Sequence, residues 1–353
     1  MQTCSTDVPA ITSDLLRALP KAELHCHLDG SIRPSTLLEL GREYKQPMPA
    51  AGVEALAEHM VVRDAHNLED YLARFGTTLS VLQHADALER AAYELIEDAA
   101  RDGVRYIEMR YAPVLNTRAG LSLGETVDAT LRGIARGERD HGTRGRIILC
   151  GLRQLSPTVS LELARLAVAY RDQGVVGFDL AGAERDHPAR DHAAAFALAH
   201  QHDLALTVHA GEGDGPGSVR QAVHDCGADR LGHATRLIED ERLTRVVNER
   251  RIALEVCITS NVQTRAVASY DAHPVRQYFD RGLLVVLNTD NRLMSGTTLT
   301  DEYLHAARHL DFTFAELAAI ARNGFASAFV PAAERDAMLA DADREIARLA
   351  ACP

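Results

Sequence analysis

Short apolar runs alternate along the chain with long stretches in which apolar and charged residues recur at helical spacing. The apolar runs predict eight β-strands, at residues 22–28, 104–111, 146–152, 175–180, 204–210, 230–232, 253–258 and 284–289. The stretches between them predict helices, among them residues 85–101, 126–141, 159–173, 188–202, 219–226, 240–249 and 274–279. Strand followed by helix, repeated eight times, indicates a parallel α/β fold and favours a closed (β/α)₈ TIM barrel over an open sheet.

The connection after the first predicted strand, residues 30–100, is much longer than the others. It leaves the carboxyl end of that strand, the face on which such barrels carry their active sites, so we predict a helical lid inserted into a single domain, 1–353. Within the lid, the spacing i, i+3, i+4, i+7 predicts one apolar helix face that packs on the barrel or lines a pocket: Leu68, Tyr71, Leu72 and Phe75. Residues 313–351 predict closing helices.

The composition is that of a soluble globular protein, with 46% hydrophobic and 25% charged residues among 353. Lys and Arg number 38 against 50 Asp and Glu, a formal charge of −12, which disfavours nucleic acid and anionic membranes as partners. The six cysteines form no CxxC pair, which predicts reduced thiols and a cytoplasmic location. Residues 1–20 lack the pattern of a signal peptide or membrane anchor, and no window reaches the roughly 20 apolar residues of a spanning helix.

Few of the sixteen histidines fall at the end of a predicted strand. His25 and His27 alternate on the first strand, so both side chains enter the barrel from the same face. His209 ends the fifth strand, His233 follows the sixth and Asp290 ends the eighth. These side chains converge only if the barrel closes. Three histidines and one carboxylate suit zinc or a similar divalent ion, with water in the remaining position.

The stretches that carry these residues resemble the adenosine deaminase family of the metal-dependent amidohydrolase superfamily. The resemblance spans roughly residues 19–350 and is carried by LPKAELHCHLDGS at 19–31, VGFDLAG at 176–182, HAGE at 209–212, LGH at 231–233 and NTD at 288–290. It implies hydrolytic deamination of adenosine or 2′-deoxyadenosine to give inosine or 2′-deoxyinosine plus ammonia, in purine salvage. It also implies one zinc ion per chain, with the ligands His25, His27, His209 and Asp290.

The same resemblance implies roles for the other residues of the motifs. Glu212 would protonate the purine ring, and His233 would orient and help deprotonate the attacking water. Asp29 would contact a ribose hydroxyl and Gly182 the purine N3. A hydrophobic gate would consist of Leu68, Tyr71, Leu72 and Phe75.

The chemistry of the reaction agrees with these roles. Replacing a purine 6-amino group requires a nucleophile at neutral pH, and a bound zinc ion supplies one by lowering the pKa of water from about 15.7 toward about 7. The ring must also accept electrons, which a proton donor at N1 makes possible, and Glu212 follows His209 by three residues. His233 could instead hold a second metal, but the fourth strand offers no Lys or Glu to bridge two ions. One metal is therefore the favoured interpretation.

Two positions depart from the best-known members of the family. Asn291 replaces a second aspartate, and Gly182-Ala183-Glu184 replaces Gly-Asp-Glu. An amide at position 291 can donate directly to a neutral purine N7.

The purine derivative therefore stays open, with aminodeoxyfutalosine and adenine as alternatives to adenosine. AMP is disfavoured, because the motifs hold no Arg/Lys cluster for a phosphate. A non-catalytic binding barrel and a cyclic amide hydrolase are further alternatives, and neither needs Glu212. The oligomeric state is not indicated by the sequence.

Overall fold

The eight strands of the chain lie side by side in sequence order, all of them parallel. The computed structural model describes residues 11–351. Its strands are β1 Lys21–His27, β2 Val104–Tyr111, β3 Arg144–Leu152, β4 Val175–Ala181, β5 Ala205–Ala210, β6 Arg230–His233, β7 Ala253–Val256 and β8 Val285–Leu287. Every predicted strand is present with its ends within about two residues of the expected position. The predicted TIM barrel is confirmed.

The first and eighth strands meet through residues that follow β8. The backbone N–H of His27 donates to the carbonyl of Asp290 at 2.7 Å, and the N–H of Asp290 donates to the carbonyl of His25 at 3.0 Å. Cys26 and Asp290 form an isolated parallel bridge at this position. The barrel therefore closes at its carboxyl end, beside the predicted metal ligands.

Helices surround the strands and close the ends of the barrel. They are α1 Ser13–Ala18, α2 Pro34–Glu43, α3 Val53–Met60, α4 Leu68–Leu72, α5 Phe75–Val81, α6 Ala85–Arg101, α7 Leu123–His141, α8 Pro157–Ala169, α9 Ala193–Gln201, α10 Pro216–His224, α11 Glu241–Glu249, α12 Ile258–Gln263, α13 Val275–Asp280, α14 Arg292–Ser295, α15 Leu299–His309, α16 Phe314–Ala326 and α17 Ala332–Ala351. The predicted helix at 188–202 begins instead as a 3₁₀ turn, Ala189–His192, before α9. The expected helices at 313–351 are α16 and α17, which Pro331 separates.

The long connection after β1 contains α2 to α6. Of these, α6 packs against β2 and α7, as an outer helix of the barrel does. The prediction that Leu68, Tyr71, Leu72 and Phe75 share the face of one helix is wrong, because the chain turns between α4 and α5 and Phe75 belongs to the second helix. At that turn the N–H groups of Arg74 and Gly76 bond to carbonyls three residues earlier, at 3.3 Å each, which tightens the backbone and ends the α-helical ladder.

Four cysteines are buried and unpaired: Cys26, Cys150, Cys226 and Cys257. Cys4 and Cys352 lie outside the described residues, as do the first ten positions of the segment expected to lack a targeting signal. No helix between residues 11 and 351 combines the length and the apolar composition needed to cross a lipid bilayer.

Candidate active site

Four side chains converge at the carboxyl end of the barrel. His25 and His27 come from β1, His209 from β5, and Asp290 from the segment after β8. One ligand atom of each lies within 4.8 Å of those of the others. Oδ1 of Asp290 is 3.3 Å from Nε2 of His25 and 3.4 Å from Nε2 of His27. The four predicted metal ligands therefore form one compact cluster.

Hydrogen bonds from outside the cluster fix the orientation of its members. Nδ1 of His25 lies 2.8 Å from Oε2 of Glu255. Nδ1 of His209 lies 3.0 Å from Oδ2 of Asp179. A ring nitrogen beside a carboxylate carries the proton, so the unprotonated Nε2 of each ring faces the centre of the cluster.

The donor set of the cluster fits a zinc ion. Nε2 of His25 is buried and makes no hydrogen bond within the described chain. Nε2 of His27 lies 3.1 Å from Nε2 of His209. Lone pairs of nitrogen and a carboxylate oxygen directed at one another repel unless a cation lies between them. Three imidazole nitrogens and one carboxylate oxygen are ligands that zinc prefers.

A buried arginine joins the two carboxylates behind the histidines. Arg110 on β2 donates to Asp179 and to Glu255, each at 2.9 Å, and its side chain is inaccessible to solvent. Burial alone would raise the pKa of Glu255, but the guanidinium groups of Arg110 and Arg230 hold it well below its usual range. Against the effect of burial, the pKa of Asp179 is likewise lowered, by His209 and Arg110, so both carboxylates remain charged and accept hydrogen bonds from His25 and His209.

Glu212 is held in place by a second glutamate. Glu184 accepts hydrogen bonds from the backbone N–H groups of Gly211, Glu212 and Gly213 at 2.6, 2.9 and 2.6 Å. Burial raises the pKa of Glu212 well above its usual value, and the charges of Asp290 and Glu184 raise it further. Its Oε1 is buried and makes no hydrogen bond among residues 11–351. The arrangement therefore favours the protonated form of this carboxyl group.

His233 ends β6 in an uncommon backbone conformation. Its φ is +63°, and Asp290 has a φ of +61°, both in the left-handed region that residues with a side chain seldom adopt. Such conformations cost about 1–3 kcal/mol each and concentrate at functional sites. Nε2 of His233 lies 3.4 Å from Oε2 of Glu212. These backbone turns direct both side chains into the barrel mouth.

A cavity of about 270 Å³ opens beside the cluster, and it brings the predicted site residues together. Of those predicted, His25 lies behind the cavity in the ligand cluster, and the rest line it: His27, Asp29, Leu68, Tyr71, Leu72, Phe75, Gly182, His209, Glu212, His233, Asp290 and Asn291. Burial raises the pKa of Asp29 to about 7. The Oδ1 atoms of Asp29 and Asn291 are buried and make no hydrogen bond within the described part of the chain, which indicates a polar ligand.

Several residues that support the site were not predicted. Asp179 and Glu255 lie on strands that are otherwise apolar, and a carboxylate in such a run is a usable signal because its burial requires a partner. Glu184, Ser260 and Asn261 carry no such signal. Ser260 donates to Oδ2 of Asp290 at 2.6 Å, and its importance follows only from that long-range contact.

A closed barrel with a His-x-His pair on its first strand, and a third histidine and an aspartate after later strands, defines a barrel of the amidohydrolase type. The sequence model of the adenosine deaminase family matches residues 20–345. The chain belongs to that family, and it is a hydrolase that acts on the C–N bond of a cyclic amidine.

Two curated relatives illustrate the likeness. Adenosine deaminase of Enterococcus faecalis is 42% identical over 321 residues, covering 91% of this chain and 95% of the relative. A protein of Dictyostelium discoideum named probable adenosine deaminase is 43% identical over 322 residues, covering 91% of this chain but only 42% of the longer relative.

Solved structures share the fold over most of its length. An amidohydrolase from Burkholderia ambifaria with bound Zn matches with a TM-score of 0.88 and 27% identity, over 98% of this chain and 96% of that one. Adenine deaminase from Arthrobacter aurescens matches with a TM-score of 0.87 and 26% identity, over 93% and 99%. N6-methyl-AMP deaminase from Arabidopsis thaliana matches with a TM-score of 0.83 and 29% identity, over 94% and 98%.

Proposed function

We propose that this protein is a zinc-dependent enzyme that deaminates adenosine and 2′-deoxyadenosine to inosine and 2′-deoxyinosine, releasing ammonia, in cytoplasmic purine salvage. The observation that carries the proposal is the buried carboxyl group of Glu212, whose pKa is raised by burial, beside a cluster of three histidines and an aspartate in one cavity. The relatives named adenosine deaminase support the same reaction.

One zinc ion per chain would be held by His25, His27, His209 and Asp290. When bound, zinc supplies a water molecule whose pKa is lowered toward neutrality. A second grouping, Glu212 with His233 and Asp290, shares Asp290 with the first. Burial favours the protonated form of Glu212, and a protonated carboxyl group is a poor ligand, so we assign one metal rather than two.

Glu212 is assigned as the acid that protonates N1 of the purine. Its loop is fixed by Glu184, so the carboxyl group keeps its position while it exchanges a proton. Proton transfer to N1 allows the ring to accept electrons as the oxygen of water bonds to C6. General acid catalysis of this kind is typically worth about 10²–10⁴-fold in rate.

His233 is assigned to orient the attacking water. Its Nε2 and Oε2 of Glu212 lie 3.4 Å apart, so both reach the space where that water would meet C6. Its ring is fully buried, and burial lowers its pKa well below the usual value. His233 is therefore neutral when substrate arrives.

Three further residues are assigned to bind the nucleoside. Asp29 lies beside His27, with 4.0 Å between Oδ1 and Nδ1, and its unpartnered oxygen is available to a ribose hydroxyl. Gly182 would contact the purine N3, and its φ of +92° suits glycine alone. A Cβ atom there would also lie 2.2 Å from Oε1 of Gln154. Asn291 would bind N7 through its amide N–H group.

The segment over the cavity is proposed to act as a lid with a hydrophobic gate. Leu68, Tyr71 and Leu72 come from α4, and Phe75 begins α5. The hydroxyl of Tyr71 lies 2.9 Å from that of Ser295, which ties α4 to α14. The ring of Phe75 packs edge-on against His27 with 6.2 Å between ring centres. An apolar cover of this kind excludes bulk water during the reaction.

The cavity favours a nucleoside over a nucleotide. Among the described residues, no lysine or arginine lines it, so a phosphate would lack a cationic partner. Its volume of about 270 Å³ lies near the lower end of ligand pockets, about 300–1,000 Å³. Adenine and aminodeoxyfutalosine remain alternative substrates. Adenine is retained because one of the similar structures is an adenine deaminase.

Ammonia release from a panel of 6-aminopurines tests the proposal. Zinc-loaded protein is assayed with adenosine, 2′-deoxyadenosine, adenine, AMP and aminodeoxyfutalosine, with His27→Ala as the inactive control. We expect kcat/KM to be highest for the two nucleosides. A higher kcat/KM for adenine or aminodeoxyfutalosine would identify that compound as the substrate instead. If no compound of the panel released ammonia, the proposed function would be rejected.

A further inference from the structure

A chain of hydrogen bonds runs behind His233, and a backbone group sets its direction. The N–H of Val275 donates to Nδ1 of His273 at 3.1 Å. A backbone N–H can only donate, so Nδ1 of His273 is the unprotonated nitrogen and the ring proton is on Nε2. That Nε2 lies 3.2 Å from Oδ1 of Asn261, to which it donates.

Asn261 transmits this direction to His233. Its Oδ1 accepts from His273, so its Nδ2 faces the other way and lies 2.9 Å from Nδ1 of His233. An amide nitrogen donates and cannot accept, so Nδ1 of His233 is the acceptor. A neutral His233 then carries its proton on Nε2, the nitrogen that faces Glu212 and the cavity.

The opposite direction is unfavourable because all three side chains are buried. Turning the Asn261 amide around would place its N–H group against the Nε2–H of His273. Protonating both nitrogens of His233 would place an N–H against the amide N–H. Either change leaves a buried donor without a partner, at a cost of about 1–3 kcal/mol. Burial also lowers the pKa of His273 to about 3, so this ring stays neutral.

We propose that Asn261 and His273 are positioning residues that hold His233 in its Nε2–H tautomer, so that His233 donates a hydrogen bond to the attacking water. This inference rests on the proposed deamination and differs from the role that the family resemblance implies, in which His233 helps to remove the proton of the water.

The proton balance of the attack then involves Glu212 alone. The oxygen of water bonds to C6, and N1 takes the proton of Glu212. The proton that the water loses passes to the carboxylate that Glu212 has become, whose Oε2 is 3.4 Å from Nε2 of His233. An Nε2 that carries a proton also cannot ligate a metal, which agrees with one zinc per chain.

Nitrogen-15 NMR of the zinc-loaded enzyme, with labelled histidine and no substrate, tests the tautomer directly. The His233 signals are assigned by their loss in His233→Gln. We expect the Nε2–H pattern in the parent and a shift toward Nδ1–H in Asn261→Asp, whose carboxylate can only accept. An Nδ1–H pattern in the parent, or no change in Asn261→Asp, would overturn the proposal. The measurement needs no turnover, so its failure is separate from failure of the proposed reaction.

A matched pair at position 273 tests the link to catalysis. His273→Gln can accept from Val275 and donate to Asn261, whereas His273→Leu can do neither. Both should keep one zinc. We expect His273→Leu to lower kcat by at least about tenfold with KM little changed, and His273→Gln to recover most of the loss. Equal kcat in the two variants would overturn the role of the chain in catalysis.

Discussion

Gly30 lies so close to the side chain of Asn291 that only glycine fits at position 30. A Cβ atom at position 30 would be 1.8 Å from Oδ1 of Asn291. The carbonyl of Gly30 also accepts a hydrogen bond at 3.0 Å from the N–H of Leu293, two residues beyond Asn291. The loop after β1, which carries Asp29, and the segment after β8 therefore form one wall of the cavity.

Gly30→Ala should displace the Asn291 side chain while leaving the metal cluster intact. A shift of about 1 Å in a substrate-positioning group can cost up to about 10²-fold, so we expect kcat/KM for adenosine to fall about 10–100-fold. Gly52→Ala is the matched control, because a Cβ there meets no atom within 4 Å. Zinc content and kcat/KM measured on both variants check this, and parental activity in Gly30→Ala would contradict it.

Asn291 should discriminate adenosine from 7-deazaadenosine. If its amide donates to N7, a C–H group there leaves a buried donor unpaired, which costs about 1–3 kcal/mol or roughly five- to hundredfold in kcat/KM. Asn291→Ala should remove that difference. Four kcat/KM values form a double-mutant cycle in which shared effects on the metal cancel. If residue 291 and the N7 atom showed no coupling, Asn291 would have only a structural role and would not bind N7.

The purified protein should contain close to one zinc per chain, and His27→Ala should lose both the metal and the activity. His27 would provide one of the four proposed ligands, and removing it would leave the coordination shell incomplete. Elemental analysis measures the stoichiometry, with the exposed His66→Ala as the control. Two equivalents per chain, with activity proportional to the second, would refute the mononuclear site.

Glu212→Gln should keep the zinc and lose nearly all turnover. Glutamine preserves the shape and can still donate a hydrogen bond to N1, but it cannot transfer a proton. We expect kcat to fall by about 10²–10⁴-fold at unchanged metal content. Steady-state kinetics with adenosine provides the measurement. A rate within a few fold of the parent would require another proton donor.

Glu302 should make the fold less stable as the pH rises. It is buried behind α12, where it accepts hydrogen bonds from the N–H of Thr259 and the hydroxyl of Thr297. Burial raises its pKa from 4.5 to about 7. Between these values the unfolded chain loses the proton that the folded chain keeps, so the free energy of unfolding contributed by Glu302 falls from pH 4.5 to pH 7.

Urea denaturation of zinc-loaded protein at several pH values measures this effect. Glu302→Gln cannot titrate, so the difference in unfolding free energy between parent and variant isolates residue 302. We expect the parent to lose up to about 3 kcal/mol relative to the variant across this range. A difference that stays constant with pH would show that the pKa of Glu302 is the same in the folded and the unfolded chain.

The strand order and the carboxyl-end residues could be predicted because both depend on local pattern. Apolar runs mark the strands, and His25 and His27 share a face through the two-residue period of a strand. The break between α4 and α5 was missed because the apolar spacing continues across it. That spacing reports which face is buried, and it does not report where the backbone switches to three-residue hydrogen bonds.

The partners of the site residues could not be predicted in the same way. Glu255 meets His25 across 230 positions of sequence, and Asn261 meets His233 across 28. Such pairs depend on how strands are placed around the barrel, which no local periodicity encodes. The Asn261 contact also depends on α12, a six-residue helix whose own sequence carries no amphipathic pattern that would place it.

The seam that closes the barrel has a consequence for how the chain matures. Its two backbone hydrogen bonds join His25 and His27 to Asp290, which are also metal ligands in the proposed site. Most of the chain must therefore be synthesised before all four ligands exist, and a nascent N-terminal part offers only His25 and His27. Metal binding would then stabilise a contact between the first strand and the segment after the eighth, which are far apart in sequence and whose closure therefore costs chain entropy.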